Sequence, residues 1–174
     1  MRTSYKFLAL MLFSCMGCAD KKLSKEDAIG IIKTDYPRVV DTYIYAGDPK
    51  YAVMLQEAGL DTDGYVIIKK TKKLRDTTGW IIFTEKSKPF LLETEEKDKK
   101  NLIQRVRTAT ENVTDITGIE QSEDGNSAVV TYQTMFIEIT PFAKVVKLKE
   151  GVKTLKAYLV RDANGWHWEK RKTK

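Results

Sequence analysis

The chain has 174 residues, 42% of them hydrophobic, and includes three tryptophans, which is enough apolar material for a packed core and excludes a disordered protein. The formal charge is +6, and it falls to +4 without residues 1–17, which contain Arg2 and Lys6 and no acid. That surplus is far below the strongly basic range of nucleic-acid-binding domains, so nucleic acid is not expected as a partner.

The first twenty residues have the order of a secretory signal. Arg2 and Lys6 precede the apolar run Phe7–Phe13, and small residues with two cysteines follow. The run is shorter than the roughly 20 apolar residues that a membrane-spanning helix needs. This leader resembles the signal peptides of bacterial lipoproteins, in which a cysteine receives a lipid and becomes the new N-terminus.

The resemblance leaves two cysteines as candidates for lipidation. Cys15 has Leu12 three residues before it and the small Ser14 directly before it, as in the lipoprotein motif. Cys18 follows the small Gly17 but has a cysteine at the aliphatic position, so it is the alternative. The resemblance implies a signal peptide over residues 1–17, a tether over 18–23 and a body anchored in the bacterial cell envelope, with the membrane leaflet left open. Since both cysteines lie in the leader, no disulfide is expected in the body.

The first part of the body predicts short helices around one strand. Ser24 and Asp48 are suitable N-cap residues, and Gly59 is a suitable C-terminal stop. Between them lies a segment rich in Val, Ile, Thr and Tyr, which favours a strand. The predicted elements are a helix at Lys25–Asp35, a strand at Arg38–Ala46 and a helix at Pro49–Ala58.

Two further strands, Tyr65–Lys69 and Gly79–Thr84, enclose a basic loop. Its cations favour contact with an anionic surface, either lipid headgroups or glycans, although a solvated loop explains them as well. The residues of this candidate site are Lys69, Lys70, Lys72, Lys73 and Arg75.

The second half is dominated by antiparallel strand signals. Alternation runs from Leu102 to Ile119, and a turn then leads into further strands at Ala128–Ile139, Val152–Val160 and Trp166–Glu169, with a short helix expected at Phe142–Glu150. The fold class is therefore α+β, with short N-terminal helices followed by a mainly antiparallel sheet. A helix-rich lobe over residues 24–92 and a β-rich lobe over 101–174, joined by the charged linker Glu93–Lys100, either are separate or form one domain.

The residues that carry chemistry are few. His167 is the single histidine, which excludes a Cys/His zinc site in the body. It lies between Trp166 and Trp168, and alternation places both tryptophans on the face opposite to it. These tryptophans are either structural or an aromatic binding surface. Asp61 and Asp63 precede Gly64 as in part of a calcium loop, but the expected later Glu is missing. No catalytic residue, metal site or cofactor is predicted.

Three functions follow as hypotheses. The first is a non-enzymatic, membrane-anchored envelope lipoprotein that acts as a binding module for an envelope protein, an anionic glycan or lipid headgroups. The second is an envelope hydrolase that uses an unrecognised pair of carboxylates. The third, a variant of the first, is a surface inhibitor protein.

Overall fold

The computed structural model describes residues 22–71 and 78–169. The helices are α1 (Lys25–Lys33), α2 (Pro49–Glu57) and α3 (Glu96–Lys100), with two 3₁₀ turns at Glu85–Phe90 and Pro141–Lys144. The strands are β1 (Arg38–Tyr45), β2 (Val66–Ile68), β3 (Ile81–Phe83), β4 (Ile103–Gln121), β5 (Ser127–Ile139), β6 (Lys153–Asp162) and β7 (Gly165–Trp168).

Five of the strands form one antiparallel sheet in the order β1-β4-β5-β6-β7, and β2 pairs with β3 in a separate hairpin. The long strands β4 and β5 slip in register at three places, including Thr110/Glu111 and Val113/Asp115. Such bulges bend and twist a strand, and the sheet curls into a half-barrel. The predicted α+β class is confirmed, since the fold is mostly antiparallel sheet with a few helices.

The sheet joins the two halves of the chain. β1 pairs along its whole length with β4, from Arg38 opposite Glu111 to Tyr45 opposite Ile103. The sheet therefore contains strands from both sides of the segment Glu93–Lys100, which the sequence indicated as a linker. The second part of that segment forms α3. β1 lies between two helices in the sequence but belongs to the sheet, so the helices do not simply precede it.

One hydrophobic core, here called the α1 core, lies where α1 packs against β4 and β7. Ala28 and Ile32 of α1 are fully buried there, together with Val130 of β5 and Leu159 of β6. Ser24 accepts a hydrogen bond from the Asp27 backbone N–H at 3.0 Å, which is the predicted N-cap of α1. Lys25 also pairs with Asp115 at 2.8 Å, linking the first turn of α1 to β4.

A second core, the α2 core, lies at the other end of the sheet under α2 and the β2–β3 hairpin. Its centre is Phe142, which is fully buried and has aromatic neighbours on three sides at Tyr65, Phe83 and Phe90, with ring centroids about 6 Å apart. Asp48 caps α2 by accepting from the Lys50 backbone N–H at 2.8 Å, as predicted.

Two predicted boundaries differ from the structure. Leu23, assigned to the tether, is buried in the α1 core, and its N–H donates to Gln121 Oε1 at 3.1 Å, so the folded body includes it. The predicted helix Phe142–Glu150 is wrong: only the 3₁₀ turn Pro141–Lys144 forms. The reason is that Phe142 and Val145 both turn into the α2 core, and Lys147 then takes a positive φ of 48°, which ends any helical path.

Candidate interaction surface

β1 is an edge strand of the five-stranded sheet. β4 hydrogen-bonds to one side of it, and no strand within residues 22–71 and 78–169 pairs with the other side. The backbone groups on an unpaired edge are a template for another strand, and natural edges often carry Lys, Pro or bulges that discourage such pairing. β1 contains neither Lys nor Pro between Arg38 and Tyr45, and its pairing with β4 shifts in register at one place, between Val40 and Asp41.

Alternation along β1 places apolar side chains in solvent. Ile44 is fully buried in the α2 core, whereas Val39, Tyr43 and Tyr45 on the opposite face are 46%, 46% and 41% exposed. These three residues and the free edge beside them are called the β1 edge below. Tyrosine is enriched at protein interfaces because its ring buries apolar area while its hydroxyl forms hydrogen bonds.

Neighbouring side chains hold the tyrosines in place. The Tyr45 ring lies 5.1 Å from that of Tyr51 on α2. Partial burial, together with the neighbouring Tyr45 and Asp48, raises the pKa of the Tyr51 phenol, so this hydroxyl stays neutral. Arg105, directly opposite Tyr43, donates to the carboxylate of Asp41, and this bond raises the pKa of the guanidinium. The β1 edge therefore combines exposed aromatic rings with the neighbouring Asp41–Arg105 ion pair.

A polar cluster joins β4, β5 and β6. Glu111 is 6% exposed, and its Oε1 accepts from Thr134 Oγ1 at 2.8 Å and lies 3.4 Å from Lys153 Nζ. Lys153 also lies 4.2 Å from the ring centroid of Phe136. Because one carboxylate oxygen carries both contacts, the arrangement fixes β4 to β5 and β6, as a structural ion pair does.

The hydroxyls of Tyr36 and Tyr132 meet nearby at 3.3 Å. Burial raises the pKa of Tyr132, and the Tyr36 hydroxyl adds to the effect, so Tyr132 is a neutral hydrogen-bonding group. This pair connects the end of α1 to the middle of β5.

The predicted site residues are only partly within the described chain. Cys15, Cys18, Lys72, Lys73 and Arg75 lie outside it. Lys69 and Lys70 follow β2 at the end of the molecule that contains the α2 core. The Lys69 N–H donates to the Trp80 carbonyl and its ammonium donates to Thr78, so the predicted strands flanking the basic loop do pair, although over three residues each.

Trp166 and Trp168 do not form an exposed aromatic surface. Both are half-buried and pack against the α1 core, and the Trp168 ring meets Tyr132 edge-on at 6.3 Å. Trp166 Nε1 is buried without a hydrogen-bond partner. His167 points the other way and is exposed, 3.8 Å from Asp162. The burial of the two tryptophans supports a structural role for them in the α1 core.

The β1 edge was not predicted, although the strand was, and the alternation of Val39, Tyr43 and Tyr45 is visible in the sequence. Whether a strand lies inside a sheet or at its edge, however, depends on pairing with residues far along the chain, and that information is not local.

Comparisons with known proteins add no constraint, since the chain matches no family model, no curated protein and no solved structure. None of the helices within the described ranges is long and apolar enough to cross a membrane. In the same part of the chain no three His, Cys, Asp or Glu residues are grouped so that they could hold a metal ion.

Proposed function

We propose that this chain is a non-enzymatic lipoprotein of the bacterial cell envelope, held at a membrane by a lipidated Cys15 or Cys18, and that its body is a protein-binding module. The observation that supports binding is the β1 edge: an unpaired strand with exposed Val39, Tyr43 and Tyr45. Addition of an extended segment to such an edge is a common mode of recognition, in which main-chain hydrogen bonds supply affinity and alternate side chains supply specificity.

The motif around Cys15 in the leader supports the proposed lipid anchor. Diacylation of one cysteine attaches two acyl chains, which is sufficient for stable membrane binding, whereas a single chain is marginal. The inhibitor hypothesis is contained in this proposal, because an inhibitor would use the same edge with an enzyme as its partner.

The anchor is tested by mass spectrometry of the mature N-terminus and by fractionation of Cys15→Ser and Cys18→Ser variants. We expect one variant to lose the lipid and to leave the membrane fraction, and the other to behave as the parent. A body that stays in the membrane fraction in both variants and in the double variant would contradict the anchor.

The binding surface is tested with a photo-reactive phenylalanine analogue at Tyr43 in cells. We expect a discrete crosslinked protein that disappears when Val39→Lys is added, because a lysine on a strand edge opposes pairing. The matched control places the analogue at Ile67, which is 56% exposed on the separate hairpin. The same adduct from Ile67, or an adduct that survives Val39→Lys, would contradict a role for the β1 edge.

A further inference from the structure

The outward face of the β2–β3 hairpin is apolar. Val66 and Ile81 are buried in the α2 core, and Ile67 and Ile82 lie directly opposite each other across the two strands. Because successive side chains of a strand point to opposite faces, this pair faces away from the core, and the two side chains are 56% and 44% exposed. Antiparallel hairpins usually carry polar residues on their solvent face. The two isoleucines, called the Ile67–Ile82 patch below, are therefore a candidate contact surface.

Lysines lie directly beside this patch. Lys69 and Lys70 follow β2, and the Lys69 N–H donates to the Trp80 carbonyl, so the pairing of the hairpin continues one residue past the strand. Lys70 is exposed and forms no ion pair with any carboxylate of residues 22–71 and 78–169. The patch therefore adjoins a cationic end of the hairpin.

The other end of the hairpin is close to neutral. Two carboxylates near it in sequence lie in ion pairs, Asp63 with Lys144 at 3.5 Å and Glu85 with Lys88 at 2.6 Å. Lys86 donates to the Asp63 backbone carbonyl at 2.7 Å and does not bind a carboxylate. The acidic groups at this end are therefore offset by lysines, and the cationic character of the hairpin lies at its Lys69–Lys70 end.

An anionic lipid surface matches this combination of groups. Apolar side chains enter the boundary between headgroups and acyl chains, and adjacent lysines attract anionic headgroups while their methylene stems cover apolar surface. A partner protein would need an acidic and apolar surface of complementary shape. A lipid surface adapts its shape, so it requires only the exposed apolar pair and the positive charge beside it.

This contact is too small to hold the protein at a membrane alone. The exposed parts of Ile67 and Ile82 together amount to about one isoleucine side chain, which is much less apolar surface than one acyl chain buries. The proposed lipid anchor changes this balance, because tethering raises the effective concentration of lipid at the hairpin. A flexible tether does not orient the body, so the side chains of the body decide which surface meets the membrane.

We propose that the Ile67–Ile82 patch, with the adjacent Lys69 and Lys70, is a second membrane contact, which docks the β2–β3 hairpin onto anionic lipid once the anchor has brought the body there. This proposal rests on the lipid anchor in the proposed function. It assigns a lipid ligand to the hairpin and leaves the β1 edge, in the separate five-stranded sheet, for a protein partner.

The experiment measures whether Ile82 meets lipid in the anchored protein. The lipidated full-length chain carries a photo-reactive phenylalanine analogue at position 82 and is inserted into vesicles of phosphatidylethanolamine and phosphatidylglycerol. The matched position is Met135, which is 42% exposed on β5 between the buried Thr134 and Phe136. After illumination, mass spectrometry quantifies the lipid adducts. We expect several-fold more adduct from position 82 than from position 135.

The role of charge is tested on the same adduct. Lys70→Glu should reduce the lipid adduct at position 82 several-fold, and so should vesicles of phosphatidylcholine alone, because each removes attraction between lysine and anionic headgroups. Lys156→Glu is the matched control, since it makes the same change in net charge at an exposed lysine of β6, and it should leave the adduct unchanged. Equal losses from Lys70→Glu and Lys156→Glu would contradict a local contact at the hairpin.

The remaining outcomes separate this proposal from the anchor. Membrane-bound protein with equal lipid adducts from positions 82 and 135, or with none from position 82, overturns the hairpin contact and leaves the anchor intact. A crosslink from position 82 to another part of the same chain or to a second protein also overturns it, because the patch then has a different occupant. Protein recovered entirely in the soluble fraction overturns the anchor and the hairpin contact together.

Discussion

The two hydrophobic cores at the ends of this sheet are built in different ways. The α1 core uses one amphipathic helix against the long strands β4, β5 and β6 and the short β7, so most of its contacts join elements that already pair with one another. The α2 core packs α2, the β2–β3 hairpin and the turn at Pro141–Lys144, all of them short, onto Ile44 of β1 and Val106 of β4, around the side chain of Phe142. Short elements have little stability of their own, so the α2 core depends more strongly on each large side chain.

The largest expected effect tests this dependence. Phe142→Ala removes a fully buried ring that contacts three other aromatic rings, and we expect a loss of about 4 kcal/mol in the free energy of unfolding. Urea denaturation followed by tryptophan fluorescence measures it. Val130→Ala, in the α1 core, removes a smaller side chain at another fully buried position, with an expected loss of about 2 kcal/mol, so the two losses are compared per buried carbon removed. A larger loss per carbon at Val130 would contradict the contrast between the cores.

A smaller effect is expected at β7, where the α1 core meets solvent. Trp168 is half-buried, so Trp168→Ala should cost about 2 kcal/mol rather than the 3–5 kcal/mol that full burial of an aromatic ring implies. His167→Ala, one residue earlier and exposed, should change stability by less than about 0.5 kcal/mol. The same denaturation series measures both variants. A loss at His167 as large as at Trp168 would mean that the side-chain alternation of β7 is misplaced.

Substitution of two glycines by alanine compares how tightly the backbone is packed near each core. A Cβ on Gly79 would lie 2.5 Å from the Ala46 carbonyl oxygen, which accepts from the Trp80 N–H, so Gly79→Ala should cost about 2 kcal/mol. A Cβ on Gly30 in α1 meets nothing within 4 Å, and Gly30→Ala should stabilise by about 0.5–1 kcal/mol. Thermal unfolding checks both signs. A neutral Gly79→Ala would show that the hairpin is not held tightly against Ala46.

The elements that the sequence predicted best are those with local signals. Ser24 and Asp48 identified the starts of α1 and α2, and the residue types of Arg38–Tyr45 identified β1. The expected helix after Thr140 failed because burial of Phe142 and Val145 in the α2 core overrides local propensity. The position of β1 at the edge could not be predicted from the sequence for a related reason. It depends on which strand β1 pairs with, and Arg38 pairs with Glu111, 73 residues away, which nothing local to β1 specifies.

The smallest expected effect concerns the tyrosine pair that joins α1 to the sheet. Tyr132→Phe removes the hydroxyl that meets Tyr36 and should cost about 1 kcal/mol at neutral pH. The pKa of Tyr132 is raised in the folded protein from its ordinary value of about 10. The contribution of this group to stability is therefore complete below about pH 10 and is lost as the pH rises further, because the unfolded chain ionises first.

Urea denaturation of the parent and of Tyr132→Phe, repeated between neutral pH and about pH 11, measures the contribution of the Tyr132 hydroxyl to stability at each pH. The stability of the parent should fall more steeply above about pH 10 than that of Tyr132→Phe, so that the two curves converge as the pH rises. Parallel curves for the parent and Tyr132→Phe would mean that Tyr132 ionises as easily folded as unfolded. The end of α1 would then be held to β5 by packing alone, and the α1 core would depend on its apolar side chains as completely as the α2 core does.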